Sequence, residues 1–141
     1  MVGILIVSHG RLADALISSV QSLVGNLEKI RGVPIWSKDR EEEVKVRIQK
    51  GMKEVDDGEG VVILTDILVG ASTNLRLSFL DDEKVEVVTG VNLPMLLTLS
   101  SYREGRSLKE VGKLVKKSGR RSIILAKDVF DRKREMKVSR G

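Results

Sequence analysis

Two short runs, GILIV at residues 3–7 and GVVIL at 60–64, are aliphatic at every position after their glycine. A strand with one wet face alternates apolar and polar residues, whereas an unbroken run has to be covered on both faces. The two runs are therefore expected to be central strands of a parallel sheet. Residues 85–91 (VEVVTGV) and 32–36 (GVPIW) are weaker strand patterns, and Pro34 in the second suits a sheet edge or a strand start better than the sheet centre. Residues 121–126 (RSIILA) read as a short fifth strand. Between these lie helical spacings: Leu12, Leu16 and Val20, then Val44, Ile48, Met52 and Val55 within 40–55, and less cleanly Leu75, Leu77 and Leu80. Residues 107–118 open with Ser107 and Glu110 at capping-box spacing. The order βαβαβαβαβ predicts an α/β fold with an open, mostly parallel sheet, right-handed crossovers and helices on both faces.

At 141 residues the chain fits one domain, and 41% hydrophobic with 32% charged residues is a globular profile. No 18-residue apolar stretch is present. The opening aliphatics have no basic flank and no small-residue cleavage site, so a cytoplasmic protein is expected. With no cysteine and one histidine, disulfides, thiolate chemistry and cysteine- or histidine-rich metal sites are excluded, and no metal is expected. Residues 1–105 carry 12 Lys/Arg against 16 Asp/Glu, while 106–141 carry 13 against 4. Aromatics are only 3% of the chain and no nucleic-acid-binding motif is visible. The basic end, with 127–141 as a loosely attached tail, is therefore read as a solvated helix face and a frayed terminus, and no nucleic-acid partner is expected.

Ligands of open α/β sheets sit beyond the carboxyl ends of the strands, where the strand order reverses. His9, the chain's only histidine, ends the first strand and is followed by Gly10; Asp66 ends the third. In a sheet of order 2-1-3-4 the two would face each other. A carboxylate that accepts a proton from one ring nitrogen fixes the tautomer and leaves the other nitrogen a lone pair for attack. Downstream, residues 70–74 (GASTN) are placed to open a helix whose free N–H groups favour an anion. Each feature also has a plainer reading: a structural histidine, an aspartate that caps or turns the chain, an ordinary helix start. In NLPMLL (92–97), Pro94 suits a first helical turn, but Leu93, Met95, Leu96 and Leu97 cannot all point inward. Either this is a buried helix start, or Asn92, Leu93 and Met95 belong to an apolar rim where partner proteins dock.

Three stretches, GILIVSHG, GVVILTDILVGASTN and VEVVTGVNLPMLL, carry a resemblance to the enzyme IIA component of the mannose, fructose and sorbose class of the bacterial phosphoenolpyruvate-dependent sugar phosphotransferase system. The resemblance spans residues 1–126 and leaves the basic tail, 127–141, uncovered. It implies a phosphocarrier: His9 takes a phosphoryl group from the phosphohistidine of the carrier HPr and passes it to a IIB component. Asp66 would orient His9, and Gly70, Ala71, Ser72 and Asn74 would hold the phosphoryl oxygens, with no cofactor needed. It also implies strand order 2-1-3-4, an antiparallel fifth strand at 121–126, and a homodimer in which that strand is exchanged. The membrane transporter would be reached only through IIB. One departure stands at the site. Where the family reads a double glycine, Ser-Pro and a closing Asn, this chain has Val69, Gly70, Ala71, Ser72, Thr73 and Asn74. Ser72 would then be a donor shifted by one position, or transfer would be weakened. A phosphotransfer subunit for dihydroxyacetone kinase and a non-catalytic regulator with the same fold are the alternatives. The sugar served belongs to partner subunits.

Overall fold

Four parallel strands lie in the order β2-β1-β3-β4, as expected: β1 (Gly3–His9), β2 (Ile30–Ile35), β3 (Val61–Thr65) and β4 (Val85–Thr89). The structure, a computed structural model, describes residues 1–67, 79–80 and 82–140, with side chains as far as 137. The two aliphatic runs are the two inner strands. Ile4, Leu5, Ile6 and Val7 are each 0% exposed, and all of β3 is buried. Pro34 sits on β2, an edge strand, where the missing N–H costs no central ladder bond.

Side chains alternate across a strand, so β1 feeds two separate cores. Ile4 and Ile6, with Val62 and Leu64, meet Ala13 and Val20 of α1 (Leu12–Val24), Leu96 and Leu99 of α3 (Leu93–Tyr102), and Val111 and Val115 of α4 (Leu108–Arg121). Leu5 and Val7, with Val33 and Ile63, meet Val44, Ile48 and Val55 of α2 (Glu41–Val55) on the opposite face. Burial of each such side chain stabilises the fold by about 1.5–3 kcal/mol. The α2 helix lies so close to the sheet that a Cβ on Gly51 would stand 2.7 Å from Leu5 Cδ1. Ser107 caps α4 by accepting the Glu110 N–H at 3.2 Å, which is half of the expected capping box.

At the carboxyl-terminal end the single chain does not show the expected strand. Residues 121–126 form no strand beside β4, and among the described residues no antiparallel fifth strand joins the sheet. The α4 helix instead continues through Arg121, because the Ser122 N–H and hydroxyl both donate to the Ser118 carbonyl, at 3.2 and 2.6 Å, and so extend the last turn. The tail is a helix, α5 (Ala126–Arg140), with residues 126–137 exposed and apolar side chains spread around its axis. The helix expected around Leu75 and Leu77 lies outside the described residues, while Leu80 is an exposed turn residue.

Candidate functional site

Through the whole of β1 the side chains are buried until the last, and His9 is the residue at which the strand leaves the core. Gly10 turns the chain there with φ +60°, a conformation glycine adopts freely, and its N–H still donates to the Ile35 carbonyl at 2.9 Å. Asp66 stands one residue beyond the Val7–Thr65 register pair of the neighbouring strand. The adjacency of β1 and β3 therefore brings the two residues together from 57 positions apart. His9 Nδ1 lies 2.9 Å from Asp66 Oδ2, which also accepts the His9 backbone N–H at 2.9 Å, while Asp66 Oδ1 accepts the Ile67 N–H at 2.9 Å. The Asp66 carbonyl accepts the Gly90 N–H at 3.2 Å and so ties the site to the end of β4.

Burial pushes the Asp66 carboxyl up, but the N–H groups of His9 and Ile67 and the His9 ring outweigh it. Its pKa is lowered overall. A carboxylate held in its charged form can only accept, so Nδ1 of His9 is the donor to it, and in the neutral ring Nε2 then carries the lone pair. The His9 side chain is 46% exposed and that of Asp66 12%. The Asp66 carboxylate is thus nearly enclosed while the His9 ring is open to solvent. Beside these two residues in sequence, the Ser8 and Thr65 hydroxyls are fully buried and have no partner among the described residues.

Of the other expected site residues, Gly70, Ala71, Ser72 and Asn74 lie outside the described residues. Asn92 caps α3: its side-chain oxygen accepts the Met95 N–H at 3.1 Å and its amide donates to the Gly119 carbonyl at 3.2 Å. Leu93 is half-buried against the core. Met95 is 4% exposed, which corrects its reading as a partner contact, because a side chain enclosed by the sheet and α4 has no surface to offer. Sequence reasoning also passed over the turn after β2. There the Asp39 carboxylate accepts the Trp36 N–H at 2.8 Å and pairs with Arg47 at 2.7 Å, next to the site. The signal was an aromatic placed directly after a strand in a chain with 3% aromatics.

These features define a class: a doubly wound α/β domain that presents an aspartate-oriented histidine at the carboxyl ends of its two central strands. Residues 3–116 match the family described as PTS system fructose IIA component, and the chain belongs to that family. It is 29% identical over 112 residues to the PTS system fructose-specific EIIA component of Bacillus subtilis (strain 168), covering 79% of this chain and 77% of that one. It is 27% identical over 124 residues to the PTS system mannose-specific EIIAB component of Escherichia coli (strain K12), covering 86% of this chain but only 38% of that longer protein. The crystal structure of phosphotransferase system component EIIA from Streptococcus agalactiae superposes with a TM-score of 0.80 at 26% identity, over 91% of this chain and 99% of that one. Family membership supports a phosphocarrier role in sugar uptake.

Proposed function

We propose that this chain is a histidine phosphocarrier which accepts a phosphoryl group from HPr on His9 and hands it to a IIB component. The observation that carries the reading is the 2.9 Å contact between His9 Nδ1 and the Asp66 carboxylate, with the ring itself half exposed. In the forward step the Nε2 lone pair attacks phosphorus. The new N–P bond forms as the bond to the donor's ring nitrogen breaks, and the electron pair of that bond stays with the donor. Nδ1 keeps its proton throughout, and the positive charge that grows on the ring is met by the Asp66 carboxylate. In the return step the IIB nucleophile takes the phosphoryl group and the lone pair goes back to Nε2. Fixing the ring and its tautomer beforehand is the chief contribution such a site makes, because transfer between two proteins depends on positioning.

The proposed carrier is a cytoplasmic homodimer that exchanges residues 121–126. Two observations support this: among the described residues β4 is an edge strand, bordered by a groove of about 610 Å³ whose lining includes Val87, Thr89, Lys113 and Ile123, and the aliphatics of 123–125 are exposed. A bare strand edge and a bare apolar strand pattern are complementary liabilities, and exchange between protomers resolves both. Incubation with phosphoenolpyruvate, enzyme I and HPr tests the carrier function. One acid-labile, base-stable phosphate per chain is expected, and none in His9→Ala; phosphate persisting in His9→Ala would exclude His9 as the acceptor.

A further inference from the structure

Six cations lie exposed along one helix, away from the histidine in sequence. Lys109, Lys113, Lys116, Lys117, Arg120 and Arg121 of α4 recur at spacings of three and four, so each has a like charge one turn away. Glu110 is the single carboxylate in the sequence of this helix, and β4 brings Glu86 beside it, with the Glu86 Cγ 3.5 Å from a Cβ built on Gly112. Lys116 and Lys117 have no carboxylate on the helix within a turn of them. Among the described residues none of the six makes an ion pair; the pairs present are those of Met1, His9, Arg31 and Arg47. Arg120 and Arg121, in the last turn, suit the helix dipole, but Lys109 stands in the first turn, where a cation is disfavoured. The tail does not share this excess: residues 126–137 hold five cations and three carboxylates, whereas α4 holds six and one. Val111 and Val115, both 0% exposed, and Gly119, where an added Cβ would stand 2.5 Å from Met95 Cε, fix the helix on the sheet. Core packing thus holds six like charges together against their repulsion, and an anionic partner relieves it.

We propose that the exposed face of α4 docks on an anionic phospholipid bilayer. Clusters of about four to eight Lys and Arg at one surface are the pattern that anionic headgroups attract. Two features favour a bilayer over a nucleic acid. The helix carries no aromatic residue on which a base could stack and no Asn or Gln to read a base edge. Just beyond its end Ile123, Ile124, Leu125 and Phe130 are exposed, and the boundary between headgroups and acyl chains accepts such side chains where a phosphate backbone does not. The proposal holds with or without the exchanged dimer. Lys109, Lys113, Lys116 and Arg120 border the β4 groove, but residues 121–126, the segment proposed to lie there, contain no carboxylate to neutralise them. A chain held in this way is concentrated at the surface across which sugar uptake takes place.

Flotation of the full chain with lipid vesicles tests this. At low salt the chain is expected to float with phosphatidylcholine vesicles that contain about 30% phosphatidylglycerol, to stay behind with phosphatidylcholine alone, and to be released at about 0.5 M salt. Equal recovery with the two kinds of vesicle, or none with either, is what a merely solvated basic face gives and overturns the proposal. The position of the contact is read from two triple variants, each checked for folding by circular dichroism. Lys116→Gln, Lys117→Gln and Arg120→Gln together should weaken binding to the anionic vesicles about 100-fold. Lys45→Gln, Lys50→Gln and Lys53→Gln together remove the same charge from α2, on the opposite face of the sheet, and should weaken it less than about three-fold. Equal losses in the two variants would mean that net charge alone is sensed and overturn the assignment to α4. Tighter binding of duplex DNA or of RNA than of the anionic vesicles at the same salt would overturn the choice of a bilayer. The vesicle preference of the unaltered chain needs no variant to fold and is independent of whether His9 carries phosphate.

Discussion

Residues 4–7 and 123–125 are nearly the same chemically, Ile-Leu-Ile-Val and Ile-Ile-Leu, yet the first four are 0% exposed while Ile123, Ile124 and Leu125 are 83, 62 and 68% exposed. The difference lies in what each can pair with. The first run is flanked by β2 and β3 and covered by helices on both faces, all from the same chain. The second leaves a cationic helix with no strand beside it among the described residues. A run of branched aliphatics states that burial is wanted and does not say what supplies it; in the first case the chain does, and in the second we propose that another protomer does.

The largest effect expected from this contrast is on stability. Ile6→Ala removes a side chain that touches the α1, α3 and α4 core, and should cost about 2–5 kcal/mol in urea unfolding. Ile124→Ala should change the stability of the separated chain by no more than about 0.5 kcal/mol, since little is lost where little is buried. Ile124→Asp should instead act on assembly, giving a monomer by light scattering at concentrations where the unaltered chain is a dimer. Equal destabilisation by Ile6→Ala and Ile124→Ala at monomer concentrations would remove the contrast, and a dimeric Ile124→Asp would remove the proposed exchange.

A smaller effect belongs to the end of the first run. Asp66→Asn keeps the size of the side chain but puts an amide where a charged acceptor held Nδ1–H, so the ring loses both its fixed tautomer and its counter-charge. Phosphoryl transfer should slow by about 100-fold, which corresponds to about 2.7 kcal/mol of barrier, with little loss of fold. The rate of single-turnover transfer from phosphorylated HPr checks this. An unchanged rate would make Asp66 a turn residue whose bonds to the His9 and Ile67 N–H groups are its only purpose.

Much of this was legible in the sequence because it depends on local pattern. Continuous aliphatic runs identified the inner strands, Pro34 marked an edge, and Ser107 marked the start of α4. The pairing of His9 with Asp66 followed once two strands were placed side by side, since strand ends at one side of a parallel sheet converge. What was not legible depends on contacts distant in sequence. Nothing in NLPMLL tells which residues turn inward, and Met95 is buried because Asn92 fixes the helix start and α4 packs across it. Arg103 gave no signal either, although it is buried and spans the far end of the sheet, donating to the carbonyls of Val2, Glu28 and Lys29. The tail could not be read from periodicity, because α5 has no apolar face to betray a helix.

Acid should sharpen the comparison with the smallest signal. The Asp66 carboxyl is raised by burial but lowered further by the His9 backbone N–H, the His9 ring and the Ile67 N–H, so its folded pKa lies below the unfolded value of about 3.9. A depressed carboxylate contributes stability that is fully present above the unfolded value and is lost as pH falls through the folded one. Urea midpoints of the unaltered chain and Asp66→Asn should therefore stay a constant distance apart from about pH 6 to about pH 5, and converge below about pH 4. Asp39, which is also depressed, is common to both proteins and cancels in the difference. The Ile124→Ala chain, altered in the exposed run and far in sequence from any of these groups, should follow the unaltered chain in parallel across the same range. A gap between the unaltered chain and Asp66→Asn that widens in acid would mean that the carboxyl is raised in the fold, and the proton on Nδ1 would then have to be assigned the other way.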